Sequence, residues 1–313
     1  MRVEGTLFQY LPERRLVAFQ SGAAATNKKY VVFLGGLTDS FLCLPYLVPL
    51  SESLQALGWC LVQAQLSSSG LGYGIQSLQT DAEELDALLR FLLSRHSQSG
   101  GAKAEEEEAP PTIVLLGHST GCQDCIYFLQ QHQHSSRELV RGVILQAPVS
   151  DREYMQTLPS TSENKALAER MLREGKGEEL MPRGTDPTGA PICARRYHSL
   201  VGRMTCDDMF SSDFTEEERR LKLAIPSLDE GDDEQEDEKK EKKWPPKFLV
   251  VCSMKDEYVP ESVDKRKLVD EMCRALPQGS EGFYIEDADH ALSSLDAQQQ
   301  FLSRVTCFLQ NIV

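Results

Sequence analysis

The segment PPTIVLLGHSTGCQDCIYFLQQH, residues 110–132, decides the fold. Its first half is a run of apolar, β-branched residues with the length of one buried strand. The run stops at Gly117-His118-Ser119-Thr120-Gly121, and sequence of helical character begins at once. A serine on so tight a turn projects its hydroxyl above the sheet. Flanking glycines let strand and helix approach each other, and the helix N-terminus aims amides at negative charge that develops there. At average glycine usage the bare G-x-S-x-G pattern occurs by chance in roughly one chain in ten of this length. The strand before it and the helix after it give it meaning; a purely structural strand-to-helix turn is the alternative.

Short apolar runs alternate with amphipathic helices on both sides of this segment, the signature of an α/β fold with a largely parallel sheet. TLFQYL and LVAFQS flank the charged turn PERR and predict an N-terminal hairpin. KYVVFLGG (29–36), WCLVQAQL (59–66), GVILQAP (142–148), KFLVVCSM (247–254) and GFYIEDA (282–288) predict further strands. SFLCLPYLVPLSESLQAL reads as a helix interrupted by prolines, and the C-terminal ALSSLDAQQQFLSRVTCFLQNIV as a closing helix. In TDAEELDALLRFLLSRH, Leu85, Leu88, Leu89, Leu92 and Leu93 follow helical spacing, with Thr80 and Glu83 as a capping box. Residues 151–246 break the rhythm. They hold helical patches, with capping boxes expected at Ser160/Glu163 and Thr215/Glu218, but no strong strand. The expected division is a core of residues 1–150 and 247–313, and a helical cap or lid of residues 151–246. A mobile acidic loop at about 229–243 is expected to end the cap.

A serine nucleophile needs a base and a group to orient the base. In this fold class the chain order is Ser, then Asp or Glu, then His. Downstream of Ser119, His132 and His134 lie too close in sequence to fold back, and His198 lies in the insertion. His290, in IEDADHAL after the last strand, is the expected base. Asp256, in VVCSMKDEYVP just beyond a buried strand, is the expected acid. Its neighbour Glu257 and Asp151, just after LQAPVS, are the competitors. The oxyanion of a tetrahedral intermediate would take the backbone N–H of Thr120 and that of Leu37, in the loop after VVFLGG.

Composition narrows the function classes. The chain has 313 residues and a formal net charge of −15. About half of the imbalance lies in two low-complexity stretches, KAEEEE (103–108) and DEGDDEQEDEKKEKK (229–243). No basic face for nucleic acid is apparent. No apolar run nears 18 residues, so no transmembrane segment is expected, and MRVEGTLFQYLPERRLVAF has no apolar signal core. Nine scattered cysteines, mostly in apolar runs, agree with a cytoplasmic protein holding reduced thiols. Cys122 and Cys125 form a CxxC without a second pair, better read as buried helix cysteines than as a zinc or redox site. Arg195, Arg196 and Arg203 are better read as a salt-bridged face than as a holder of an anionic substrate.

VVFLGGLTDSF, LLGHSTGCQD, LQAPVSDREYM, DDMFSSDF and SMKDEYVP followed by DADHAL together resemble the α/β-hydrolase superfamily. More narrowly, the chain is similar to the little-characterised family that includes a fungal intracellular siderophore esterase acting on fusarinine-type compounds. The resemblance implies an eight-stranded sheet flanked by helices, a cap, and serine esterase chemistry without metal or organic cofactor. It carries Ser119, Asp256 and His290 over as the triad, and leaves the substrate open. The expected activity is cleavage of a small-molecule carboxylic ester through an acyl-enzyme. A thioesterase or amidase with the same residues, and a non-catalytic binding protein on the same fold, are the rivals.

Overall fold

The computed structural model describes residues 2–22, 28–99, 110–131, 133–227 and 244–312. Both acidic stretches, 103–108 and 229–243, and His132 lie outside the described residues. Strands β1 (Gly5–Leu11) and β2 (Leu16–Ser21) form the N-terminal hairpin, followed by β3 (Lys29–Leu34). Helix α1 (Leu47–Ala56), strand β4 (Cys60–Ala64) and helix α2 (Leu78–Ser99) come next. The decisive segment folds as β5 (Thr112–His118) and α3 (Gly121–Gln130), and β6 (Val140–Gln146) follows. Four helices succeed it: α4 (Asp151–Gln156), α5 (Thr161–Arg173), α6 (Ala194–Val201) and α7 (Glu216–Leu223). The chain ends in β7 (Lys247–Ser253), α8 (Lys265–Ala275), β8 (Glu281–Ile285) and α9 (Leu295–Gln310).

The eight strands form one sheet in the order β1-β2-β4-β3-β5-β6-β7-β8. β1/β2 and β2/β4 pair antiparallel, and every other neighbouring pair is parallel. The central strands are buried on both faces, which is why they read as continuous apolar runs. Their alternate residues nevertheless enter different cores. Val32, Leu115 and Val250 pack with Leu85, Leu88 and Leu92 of α2 and Ile126 of α3. Val31, Val114 and Leu249 pack with Leu50 of α1 and with Phe301 and Val305 of α9. The period of two in each strand thus serves a helix layer on each side. A third apolar cluster, including Met155, Ala168, Ile192 and Tyr197, lies wholly within the β6–β7 segment.

Several local expectations shift. The helix before β4 begins only at Leu47, because Pro45 precedes it and Pro49 is tolerated in a first turn. α2 starts two residues before Thr80, and Ser77 Oγ accepts the Thr80 N–H in place of a Thr80/Glu83 capping box. Of the five leucines assigned to its buried stripe, Leu93 is 36% exposed, since it lies at the stripe's margin. Ser160 precedes α5 in helical conformation and makes no side-chain cap, whereas Thr215 and Glu218 form the reciprocal box expected of them. β6 ends at Gln146 because Ala147 takes φ +54°, which no strand residue adopts.

Candidate active site

The turn between β5 and α3 has the strain that its sequence implies. Ser119 has φ +53°, a left-handed conformation that costs a non-glycine residue about 1–3 kcal/mol and persists only where the surroundings impose it. They impose it through close packing. A Cβ on Gly117 would lie 2.4 Å from the carbonyl oxygen of Gly121, and one on Gly121 would lie 2.2 Å from that of Leu34. The Ser119 N–H is held by the Gln146 carbonyl at 3.0 Å. α3 starts at Gly121, so its N-terminal amides adjoin the serine.

The loop after β3 comes up against this turn. A Cβ on Gly36 would meet Ser119 Cβ at 2.7 Å and Ser119 Oγ at 3.3 Å, so only glycine permits the approach. The Gly36 N–H is engaged by Asp39 Oδ2 at 2.7 Å, while Asp39 N–H closes the turn onto the Gly36 carbonyl. Among the described residues no protein acceptor engages the Leu37 or Thr120 N–H. Leu37 lines the same cavity as the serine, and Thr120 follows it at the start of α3.

In the turns after β7 and β8, His290 Nδ1 lies 2.7 Å from Asp256 Oδ2. Both side chains are buried, Asp256 directly after β7 and His290 in the turn after β8. Backbone bonds from Met254 to Ile285 and from Lys255 to Ala288 tie these turns together. Asp256 Oδ1 accepts the Tyr258 N–H at 2.9 Å, which leaves its other oxygen for the imidazole. Glu257 does something different, since its Oε2 accepts the His290 backbone N–H at 3.0 Å. Asp151 sits apart from this pair and accepts from Gln123 Nε2 at 2.9 Å. Burial first, with the negative charge of Asp207 second, raises its carboxyl to about 7.

Ser119 and His290 line one cavity of about 560 Å³. The β3 loop contributes Gly36, Leu37 and Asp39, and the β6–β7 segment contributes Tyr154, Met155 and Leu200. Tyr258 packs over His290 with ring centroids 4.6 Å apart, and Tyr154 meets Tyr258 edge-on at 4.9 Å.

Sequence reasoning passed over the residues that hold the imidazole's surroundings. His118, inside the pentapeptide, lies 4.7 Å from His290 ring to ring. Desolvation, then the neighbouring His290, lowers its pKa to about 3, so it stays neutral. Its Nδ1 lies 2.5 Å from Gln146 Oε1, while Gln146 Nε2 donates to the His290 carbonyl at 3.1 Å. One glutamine at the end of β6 thus holds the His118 ring and the His290 backbone. Its only signal was a polar residue closing an otherwise apolar strand. The remaining sequence candidates fall elsewhere. Cys122 and Cys125 are fully buried in α3, and burial drives both thiols well up. His134 stacks on Phe128 near Asp86. Arg195, Arg196 and Arg203 pair with Glu178, Asp207 and Glu218.

This architecture has known relatives. A family model described as a protein of unknown function, DUF1749, matches residues 1–310. The chain belongs to the DUF1749 family. A UPF0613 protein of Schizosaccharomyces pombe is 32% identical over 279 residues, 85% of this chain and 81% of its own. The fusarinine C esterase sidJ of Aspergillus fumigatus is 27% identical over 330 residues, 90% of this chain and 88% of its own. Among solved structures, the siderophore hydrolase EstB from Aspergillus fumigatus superposes with a TM-score of 0.76 at 26% identity, covering 100% of this chain and 98% of that one. A monoglyceride lipase from Saccharomyces cerevisiae shares the fold at 12% identity and a TM-score of 0.63. This DUF1749 chain therefore has the α/β-hydrolase fold, and its likeness to proteins named esterase and siderophore hydrolase makes it a hydrolase-type enzyme. No helix among its described residues is long and apolar enough to cross a membrane.

Proposed function

We propose that the chain is a serine esterase working through an acyl-enzyme, with Ser119 as nucleophile, His290 as base and Asp256 as the acid that orients it. The observation that carries this reading is the 2.7 Å contact from His290 Nδ1 to Asp256 Oδ2, beside a strained serine that lines the same cavity as the imidazole. Asp256 fixes the tautomer in which Nδ1 carries the proton and Nε2 is free to accept one. Ser119 Oγ attacks the ester carbonyl as His290 takes its proton. The oxyanion that forms is received by the Leu37 and Thr120 amides, a type of contribution worth about 10²–10³ in turnover. His290 then protonates the departing alkoxide and activates water to release the acid.

The helices between β6 and β7 act as a cap, since Tyr154, Met155, Asp186 and Leu200 wall the cavity from that side. Nine cysteines with no disulfide among them suit the reducing conditions of the cytoplasm. Two relatives named for siderophore chemistry make hydroxamate-siderophore esters the first natural substrates to try. The test combines a fluorophosphonate probe with turnover of p-nitrophenyl esters, thioesters and siderophore esters. Labelling of Ser119 and ester turnover, both lost in Ser119→Ala, are expected. Absence of both in folded protein refutes the reading and favours a binding role.

A further inference from the structure

We propose, resting on the esterase reading, that the substrate is an ester bearing a protonated amino group, selected by the charge of the cavity. Four carboxylates line the cavity that holds Ser119: Asp39, Asp151, Asp186 and Glu257. Among its described lining residues there is no lysine or arginine, and none of the four pairs with one elsewhere among the described residues. His118, the second imidazole in the wall, is held neutral by burial. The bias is local and does not merely follow the acidity of the whole chain. The nearby arginines of the β6–β7 segment are consumed by Glu178, Asp207 and Glu218.

Three of the four carboxylates have structural work to do. Asp39 receives the Gly36 N–H, Glu257 receives the His290 N–H, and Asp186 receives the Tyr73 hydroxyl and the Thr188 N–H. Asp151 has a single neutral donor, the Gln123 amide, which leaves its other oxygen for a ligand; raised to about 7 by burial, it carries its full charge above that pH. The aromatic pair Tyr154 and Tyr258 stands in the same wall, and the faces of such rings attract an ammonium group. Carboxylate and aromatic wall together are the chemistry that recognises an amine and rejects an anion.

A second acid-lined cavity adjoins the first. On the far side of the β3 loop, a small cavity shares Gly36, Leu37 and Asp39 with the main one. It is lined by Asp81 and Asp124, each more than nine-tenths buried and each with an Oδ1 that has no partner. Arg196, on the same wall, is committed to Asp207 and to the Tyr73 carbonyl. Burial raises Asp81 to about 7 and Asp124 well up, so this pair adds little charge of its own, and the field that favours a cation is that of the main cavity. Such a field raises the local concentration of cationic substrate and weakens with salt.

The test compares three p-nitrophenyl esters of equal chain length at pH 8, where Asp151 is ionised: 6-aminohexanoate, 6-hydroxyhexanoate and adipate monoester. The kcat/KM of the cationic ester is expected to exceed that of the neutral one by about tenfold or more, with the anionic ester slowest. The cationic-to-neutral ratio should shrink at high salt and fall several-fold in Asp151→Asn. Because it is a ratio on one protein sample, it does not depend on how much of the variant folds. Equal turnover of the three esters, faster turnover of the adipate, or an unchanged ratio in Asp151→Asn overturns this inference and leaves the esterase reading standing. No turnover of any ester, with Ser119 unlabelled, overturns the esterase reading and this inference with it.

Discussion

Replacing Gly36 by alanine tests how closely the β3 loop must approach the nucleophile. The new methyl would lie 2.7 Å from Ser119 Cβ and 3.3 Å from Ser119 Oγ. Ordinary carbon contacts begin near 3.4 Å, so the loop and the serine must part by about 0.7 Å. The serine turn cannot easily retreat, because Gly117 and Gly121 are themselves in contact with backbone. The loop therefore moves, and the Leu37 amide moves with it. A misplacement near 1 Å costs on the order of 10²-fold in rate, and loss of one oxyanion donor about 10²–10³-fold. For Gly36→Ala we expect kcat for a neutral p-nitrophenyl ester to fall by about 30- to 100-fold, with KM changing far less. Overpacking of this kind destabilises by about 1–3 kcal/mol, so a urea titration should still show a cooperative fold. Activity within threefold of the parent, in a protein of unchanged stability, would refute the claim that this loop supplies a donor to the reacting carbonyl.

Three other perturbations separate the roles of neighbouring groups. Asp256→Asn should lower kcat by about 10³–10⁴-fold, as loss of the orienting acid does in serine proteases, while Asp151→Asn should cost at least a hundredfold less; equal losses would point to Asp151 as the acid. Ser119→Gly should abolish turnover yet raise the urea midpoint, because glycine relieves a φ of +53° worth about 1–3 kcal/mol; a lowered midpoint would show that the turn stores no strain. Asp81, raised to about 7 mainly by burial, links stability to pH. Its folded value lies above the ordinary 3.8, so the stability it contributes is complete below about pH 4 and is lost as pH rises through 7. The gap corresponds to at most about 4 kcal/mol. Asp81→Asn should therefore gain stability over the parent progressively from pH 4 to pH 8, and a pH-independent difference in urea midpoint would contradict this.

The central segment was legible because strand, turn and helix impose distinct and local demands on sequence. Apolar continuity marks β5, glycine on both sides marks the strained serine, and helical spacing follows at once. That Asp256 and His290 would meet was legible for a similar reason: each stands just beyond an apolar strand, where a parallel sheet gathers its loops at one edge. What the sequence concealed was tertiary. Gln146 braces His118 and His290 by bonds to residues 28 and 144 positions away. No periodicity announces such a partner. Glu257 looked like a rival of Asp256, but side chain direction gives it the histidine backbone and gives Asp256 the ring. The capping boxes at Thr80 and Ser160 failed because a cap requires the residue to be outside the helix and extended, and helix starts are set by packing as much as by local pattern. The acid-lined walls of the cavity draw on residues from widely separated stretches, so their shared charge was visible only once the chain was folded.

The claim on which the rest depends is that Ser119 becomes acylated during turnover. Rapid acid quench during hydrolysis of a p-nitrophenyl ester, followed by peptide mass mapping, reads this directly. An acyl adduct confined to the peptide bearing Ser119, formed as fast as the burst of p-nitrophenol, is the expected result. Ester turnover that proceeds with no adduct on that peptide, or that persists in Ser119→Ala, would contradict the account.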